Sequence, residues 1–168
     1  MFLGNIATVK SGRRELKMNE KSSYKEQNQA EDRLAQALPQ LTEDQVAEVS
    51  SKFGREKYSP GDVIVQQGEI ADCFYIVIDG HVEIWHKGLS GQSEMVDVRR
   101  QGEYFGETGI MQNRPRTATV RAPEDVGVEV LVLDSRDFEE MMDESRATEM
   151  HVANEMIQRL ISLASAQS

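Results

Sequence analysis

The amino-acid sequence predicts a mainly β domain with helices at both ends. Short runs rich in β-branched and aromatic residues recur between about residues 56 and 133, and turns containing Gly, Pro or Asp separate them. On either side of this region, apolar residues recur at helical spacing instead. Because no helical pattern alternates with the β-prone runs, we expect the strands to pair antiparallel in a sandwich or barrel.

The N-terminal part divides at residue 28. Residues 1–27 are mixed and polar, with no sustained period, and are predicted to be an arm. This arm is disordered, docks on a partner as a helix, or is the end of a preceding element. The following segment is predicted to form a helix over about 29–38, because Pro39 stops it and four apolar residues share one helical face. These are Leu34, Ala35, Leu38 and Leu41.

A second helix is predicted to begin after Thr42. Thr42 and Gln45 have the spacing of a capping box, in which each residue satisfies a backbone amide of the other. Gly54 is a suitable stop. Three apolar residues would form its buried face: Val46, Val49 and Phe53.

The β region begins with a short strand over 63–65, between turns at 59–62 and 67–69. Two longer β-prone runs, 74–78 and 81–85, are separated only by Asp-Gly. That dipeptide between two such runs predicts a β-hairpin. A loop over 88–91, a strand near 95–98 and a last strand over 126–133 complete the predicted β region, which ends at about 133.

Two helices are predicted after the last strand, over about 134–164. Asp134 is a candidate N-cap for the first, which ends near a break at 143–145. The second has an amphipathic stripe at i, i+3, i+4, i+7 and i+8 spacing. This stripe consists of Ala153, Met156, Ile157, Leu160, Ile161 and Ala164.

The most informative stretch runs from Phe105 to Val120. Two glycines bracket Glu107 and Thr108, and a short turn of helix beginning near Glu107 would direct free backbone N–H groups outward, which suits an anion. Arg116 follows nine residues later, and the alternation over 117–120 predicts a strand that holds it. A carboxylate repels phosphate, so Glu107 is better suited to accept hydrogen bonds from sugar hydroxyls. Together these groups suggest a nucleotide pocket.

This stretch resembles the phosphate-binding cassette of the cyclic nucleotide-binding domain family. The family pattern is Phe-Gly-Glu, then small and apolar residues, then Pro-Arg-x-Ala-Thr/Ser. Ten residues match it: Phe105, Gly106, Glu107, Gly109, Ile110, Met111, Pro115, Arg116, Ala118 and Thr119. The resemblance extends over roughly 34–163. It implies that 28–168 is a cyclic nucleotide-binding domain, a jelly-roll-like β-roll with N-terminal helices and C-terminal lid helices.

The resemblance also implies a set of ligand contacts. Glu107 would accept the ribose 2′-hydroxyl, Arg116 would pair with the cyclic phosphate, and Thr117 could reach a guanine amino group. Since cAMP-binding members also have a hydroxyl there, both cAMP and cGMP remain candidates. Three backbone amides would hold the phosphate, those of Gly106, Thr108 and Gly109. Three side chains on the last helix are candidates for the cap over the base: Met156, Ile157 and Leu160.

The expected function is therefore a non-catalytic sensor in signal transduction, whose C-terminal helix moves when cAMP or cGMP binds. No cofactor or metal is expected. A protein partner would receive the signal, and the last helix could also form a homodimer. The net charge of −10 disfavours nucleic acid and acidic membranes as partners. With no apolar run long enough to span a bilayer and no basic leader, a cytoplasmic location is expected.

Three alternatives are open. A metal-dependent, cupin-like barrel enzyme would need converging ligands, and the candidates are His81, His86 and His151. A structural interaction module would not respond to nucleotide. In the third, Glu107 and Arg116 merely pair with each other. Three further arginines are interpreted as solvated residues on strand faces: Arg99, Arg100 and Arg121.

Overall fold

A computed structural model of the chain describes residues 6–166, and it describes the side chains of residues 19–165. Two helices precede the β region, a short helix interrupts it, and two helices follow it. In chain order the elements are α1 (Ile6–Ala37), α2 (Glu43–Ser50), β1 (Gly54–Tyr58), β2 (Val63–Val65), β3 (Cys73–Asp79), β4 (His81–Lys87), β5 (Ser93–Arg100), β6 (Tyr104–Phe105), α3 (Glu107–Met111), β7 (Thr119–Arg121), β8 (Val128–Asp134), α4 (Ser135–Glu144) and α5 (Arg146–Ala166).

The strands form two four-stranded antiparallel sheets, with the orders β1-β8-β3-β6 and β2-β7-β4-β5. The predicted fold class, mainly antiparallel β with helices on both sides, is confirmed. Within residues 6–166, no strand pairing joins the two sheets, so they are not closed into a barrel.

The predicted hairpin at Asp79-Gly80 is wrong. β3 pairs with β6 and β8, whereas β4 pairs with β5 and β7, so the chain passes from one sheet to the other at this turn. Gly80 has a φ of 80°, and a Cβ there would lie 2.8 Å from the carbonyl oxygen of Gly127. Asp79-Gly80 does form a tight turn, as its residue types predict. Both edges of β3 are already paired with other strands, so β4 does not pair with it. The hairpin is instead β4–β5, around the predicted loop at 88–91.

The core has two layers that share the first sheet. On β3, Phe74, Ile76 and Ile78 pack against the helices, while Tyr75 and Val77 face the second sheet. All five are buried, which explains why the sequence there is continuously apolar rather than alternating. The first sheet is therefore covered on both faces.

The two predicted N-caps are confirmed, whereas α2 ends at Ser50 and the predicted stop, Gly54, begins β1 instead. Thr42 and Gln45 form the capping box of α2, and Asp134 accepts a hydrogen bond from the amide of Arg136 at the start of α4. The predicted break separates α4 from α5 at Ser145. Of the predicted arm, residues 1–5 lie outside the described residues, and residues 6–27 belong to α1, which continues through the predicted boundary at residue 28 and is therefore longer than the helix predicted over 29–38. Docking of this arm on a partner stays a prediction.

None of the helices within residues 6–166 combines the length and hydrophobicity that a bilayer span requires. Among the described side chains, those of residues 19–165, His, Cys, Asp and Glu do not gather in any group of three or more that could hold a metal ion.

Candidate cyclic nucleotide site

The turn before α3 requires glycine. Gly106 is the N-cap of α3, has a φ of 90°, and carries no side-chain cap. A Cβ at this position would lie 2.9 Å from Nη1 of Arg116 and 3.0 Å from the carbonyl oxygen of Cys73. The first backbone N–H groups of a helix have no partner within the helix, so the start of α3 presents uncapped amides. The predicted turn of helix at Glu107 is confirmed.

Arg116 lies beside this turn and is only 5% exposed. Its Nη1 donates to the carbonyl oxygen of Gly106 at 2.8 Å, and its Nη2 donates to that of Cys73 at 2.7 Å. Its backbone is held by two further hydrogen bonds, one with Gly68 and one with Glu69. The guanidinium is thus fixed next to the amides of α3, and the predicted turn at 67–69 is what positions its backbone.

The strand predicted over 117–120 is shorter than expected. Thr117 and Ala118 form a bend, and β7 begins only at Thr119. The hydroxyl of Thr119 accepts a hydrogen bond from the amide of Gln67 at 3.0 Å, which ties the start of β7 to the turn after β2. Thr117 is half-buried and lines the cleft next to Arg116.

Glu107 has a partner that sequence analysis missed. Its carboxylate is 3% exposed, and Oε1 accepts a hydrogen bond from Nη1 of Arg159 on α5 at 2.6 Å. The alternative in which Glu107 only pairs with Arg116 is not what the structure has. A signal for Arg159 was present, because it follows Met156 by three residues and so shares the inward face of α5.

Arg159 is also anchored to β6 and to its own helix. Nη1 lies 3.3 Å from the carbonyl oxygen of Tyr104, and the guanidinium carbon lies 4.4 Å from the centre of the Tyr104 ring. Nη2 donates to Glu155 at 3.2 Å, and the Tyr104 hydroxyl donates to the same carboxylate at 2.8 Å. Burial would lower the pKa of Arg159, but its interactions with Glu107, Tyr104 and Glu155 together outweigh burial and the pKa is raised. Arg159 is therefore a charged link between α5 and α3.

These groups line one cleft between the second sheet, α3 and α5. Its wall includes Gly106, Glu107, Thr108, Gly109, Arg116 and Thr117, with Arg159, Leu160 and Leu163 from α5. The structure thus places all six predicted binding residues in the same cleft. The free volume is about 80 Å³, whereas pockets that hold small molecules typically measure about 300–1,000 Å³. In this conformation the free volume of the cleft is therefore below that range.

The three candidate cap residues lie in different surroundings. Leu160 lines the cleft, Met156 is 8% exposed within α5, and Ile157 is 48% exposed. Leu163, which was not predicted, lines the cleft one turn beyond Leu160. The assignment of the cap stays a prediction, with Leu160 the best placed of the three in this conformation.

The interpretation of Arg99 as a solvated residue is wrong. Arg99 on β5 is 9% exposed and lines the cleft. Arg100 is exposed, as predicted, and Arg121 is half-buried with its guanidinium carbon 4.2 Å from the centre of the Trp85 ring. Neighbouring arginines on one strand face opposite sides, and composition could not show which of the two faced inward.

Comparison with known proteins identifies a family for this chain. The family model of the cyclic nucleotide-binding domain matches residues 55–145. The chain therefore belongs to the cyclic nucleotide-binding domain family.

The match covers only a small part of two similar proteins. A cGMP-dependent protein kinase (egl-4) of Caenorhabditis briggsae is 33% identical over 106 residues, which are 61% of this chain and 14% of the kinase. A cAMP-dependent protein kinase regulatory subunit of Mycosarcoma maydis is 32% identical over 99 residues, 57% of this chain and 19% of the subunit. The chain thus spans less than a fifth of the length of these two relatives.

Solved structures show the same fold. The regulatory domain of Toxoplasma gondii PKA, crystallised with cAMP, has a TM-score of 0.71 and 25% identity, covering 80% of this chain and 52% of that one. The catabolite activator protein of Thermus thermophilus has a TM-score of 0.65 and 27% identity, covering 76% of this chain and 59% of that one.

Proposed function

We propose that the chain binds cAMP or cGMP in this cleft and acts as a non-catalytic regulatory sensor. The observation that carries the proposal is the convergence of the uncapped amides of α3, the buried guanidinium of Arg116 and the buried carboxylate of Glu107 on one cleft. Amides and a guanidinium suit a cyclic phosphate, and a carboxylate suits a ribose hydroxyl. The family match supports the same ligand class.

The proposal includes a movement of α5. A ribose hydroxyl and Arg159 would compete for access to the same carboxylate, because Glu107 is only 3% exposed and its Oε1 already accepts a hydrogen bond from Arg159. The small volume of the cleft supports the same conclusion, since Leu160 and Leu163 of α5 form part of its lining. A ligand can shift α5 only by binding the displaced position more tightly than the docked one. Breaking the Glu107–Arg159 pair is the structural change that would link nucleotide binding to the displacement of α5.

The output is proposed to be a protein–protein contact made when α5 is displaced. The matched relatives are a cGMP-dependent protein kinase and a cAMP-dependent protein kinase regulatory subunit, and the match covers 14% and 19% of their lengths. The identity of the partner and the cytoplasmic location stay predictions.

The direct test is thermal unfolding of the purified chain with added cAMP and, separately, cGMP. A ligand at 100 times its dissociation constant stabilises the folded state by about 2.7 kcal/mol, so the melting temperature should rise by several degrees. The protein should first be unfolded and extracted to detect any copurified nucleotide. An unchanged melting temperature at millimolar concentrations of both nucleotides, with no copurified nucleotide, would contradict the proposal.

Arg116→Lys and Arg121→Lys form a matched pair for the same assay. Lysine keeps the charge but loses the planar fork. Arg116→Lys should weaken binding by at least tenfold, whereas Arg121→Lys, whose arginine pairs with Glu83 outside the cleft lining, should bind as the wild type does. Equal effects of the two substitutions would show that the phosphate role is misassigned.

A further inference from the structure

The carboxamide of Gln67 forms two hydrogen bonds with the backbone of one residue, Lys87 at the end of β4. Nε2 donates to the carbonyl oxygen of Lys87 at 3.0 Å, and Oε1 accepts a hydrogen bond from the amide of Lys87 at 2.8 Å. Two residues that face each other in an antiparallel sheet exchange the same pair of bonds. The side chain of Gln67 therefore contacts β4 as a peptide group of a neighbouring strand would.

This side chain replaces a strand partner that β7 does not supply. β4 and β7 pair antiparallel, with Trp85 opposite Thr119. A continued β7 would place Thr117 opposite Lys87, two residues further along β4. The chain instead forms a bend at Thr117, and Arg116 and Thr117 line the cleft. The carboxamide of Gln67 thus fills the position on β4 that the two cleft residues leave open.

The turn that begins with Gln67 also holds the backbone of Arg116. The amide of Gly68 donates to the carbonyl oxygen of Arg116 at 2.9 Å, and the amide of Arg116 donates to the carbonyl oxygen of Glu69 at 2.8 Å. The amide of Gln67 itself donates to the hydroxyl of Thr119 at 3.0 Å. The turn therefore binds the chain on both sides of the bend, and the side chain of Gln67 joins the turn to β4.

Among the described residues, those that line the cleft do not include Gln67, so it can act on a bound nucleotide only through other residues. The contact within its reach is that of Arg116. The guanidinium of Arg116 donates to the carbonyl oxygens of Gly106 and Cys73, while its backbone depends on the turn after β2. Because the two bonds to Lys87 lie at an exposed end of β4, water can replace them, and their loss should displace the turn rather than unfold the domain.

We propose that Gln67 is a positioning residue for the phosphate contact. It holds the turn over 67–69 against the end of β4, and the turn holds Arg116 where its guanidinium lies next to the amides of α3. The inference rests on the proposed function, since the contact concerned is the one that Arg116 would make with the cyclic phosphate. Charge-assisted hydrogen bonds depend on distance and angle, so a small displacement of Arg116 should weaken this contact.

The first experiment compares Gln67→Met with Gln92→Met in calorimetric titrations with cAMP and with cGMP. Methionine is similar in length to glutamine, but it has no donor for the carbonyl oxygen of Lys87 and its sulfur is a weak acceptor. Gln67→Met should bind the nucleotide that the wild type prefers about fivefold more weakly. Gln92 is an exposed residue in the loop between β4 and β5, and its variant should bind as the wild type does.

Gln67→Asn is the second variant at this position. It keeps the carboxamide, but its side chain is one methylene shorter and cannot reach both backbone groups of Lys87 in the present geometry. It should therefore bind more weakly than the wild type, and it provides the answer if Gln67→Met does not fold.

A second experiment separates positioning from a general structural role. If Gln67 acts through Arg116, the two positions are coupled in a double-mutant cycle with Arg116→Lys. A lysine depends less on the position of the turn, because its ammonium is a point charge on a flexible stem. In the Arg116→Lys background, Gln67→Met should therefore weaken binding by less than about twofold. Nucleotide-dependent shifts of the melting temperature measure these weaker affinities.

Three results would overturn the inference while leaving the proposed function intact. The first is wild-type affinity in the folded Gln67 variant, and the second is an equal loss in Gln92→Met. The third is that the full loss persists in the Arg116→Lys background, which would mean that Gln67 supports the cleft independently of Arg116. A wild-type protein that binds neither cAMP nor cGMP would instead overturn the proposed function, and this inference with it.

Discussion

The two glycines at the start of α3 are required for different physical reasons. Gly106 has a φ of 90°, which side chains rarely adopt. Gly109 has no such φ, but a Cβ there would lie 2.5 Å from the Cβ of Ala71 and 2.8 Å from the carbonyl oxygen of Arg114. Its role is thus close packing of α3 against its surroundings, which is compatible with a nearby ligand but does not depend on one.

Gly109→Ala should destabilise the protein by about 1–3 kcal/mol, the usual cost of overpacking. Ala71→Gly removes the nearer of the two clashing groups, so the double variant should recover part of the lost free energy of unfolding. Urea unfolding measures the free energy of unfolding of the single variants and of the double variant. Gly88→Ala is the control, because a Cβ at Gly88 has nothing within 4 Å. Strictly additive effects of Gly109→Ala and Ala71→Gly would show that the two positions do not contact as described.

Residue types at fixed spacing, together with the family resemblance, were sufficient to predict that Glu107 and Arg116 share a site, and the structure places both in one cleft. Their roles as ligand contacts stay predictions. Arg159 and Arg99 could not be identified in this way. Arg159 enters the cleft from α5, far from 105–120 in sequence, whereas Arg99 lies on β5, only six residues before Phe105. In both cases, entry into the cleft depends on which face of the element is turned inward. That is a property of the packed structure.

At the scale of elements, α5 has two different apolar faces. Val152 and Met156 are buried, and they share a face with Arg159 and Leu163 at helical spacing. Ile157 and Ile161 are about half exposed. The amphipathic stripe was predicted correctly as a helix, but it is not a single buried surface. The predicted homodimer through this helix stays untested.

Arg159→Gln should loosen α5. Glu107 would keep its buried charge and lose its partner, and breaking such a pair typically costs about 3–5 kcal/mol. Nucleotide should then bind several-fold more tightly than to the wild type, because the ribose hydroxyl no longer competes with a guanidinium. The measurements are the melting temperature without nucleotide and the dissociation constant by calorimetry.

Arg146→Gln is the control for this experiment, because Arg146 is an exposed arginine on the same helix. It should change neither stability nor affinity appreciably. Weaker nucleotide binding by Arg159→Gln would contradict the competition, and would indicate that Arg159 contacts the bound nucleotide.

Elements were predicted best where the signal is local. The caps at Thr42 and Asp134 and the break at 143–145 are decided by residues within one turn of each other. The partners of strands are not local. Asp79-Gly80 makes a tight turn in the structure, but the choice of partner for β3 is decided by β8, which lies some fifty residues further along the chain.

At the scale of the whole molecule, stability should depend on pH through two carboxylates of the second sheet. The pKa of Glu83 is lowered from its ordinary value of 4.5, first by the hydrogen bond from Trp85 and then by Arg121. The pKa of Asp97 is lowered as well. A carboxylate with a lowered pKa in the folded state stabilises it above the unfolded pKa, and this contribution is lost as the pH falls through the folded value.

We therefore expect the contribution of these two groups to the free energy of unfolding to be constant between about pH 6 and 7 and to fall below about pH 4.5. Glu83→Gln should make the fall shallower, since one of the two groups no longer titrates. Urea unfolding at a series of pH values between 3 and 7 provides the test. An identical pH profile for Glu83→Gln and the wild type would contradict the assignment.

The two residues of β6 have a consequence for engineering. Tyr104 packs in the core layer shared with the helices, Phe105 packs in the layer between the sheets, and Gly106 follows directly. The start of the cassette is thus fastened to both layers by adjacent side chains. A synthetic peptide comprising 105–120 would lack both attachments and should not bind nucleotide. Transplanting the site into another scaffold would require a host that supplies both layers.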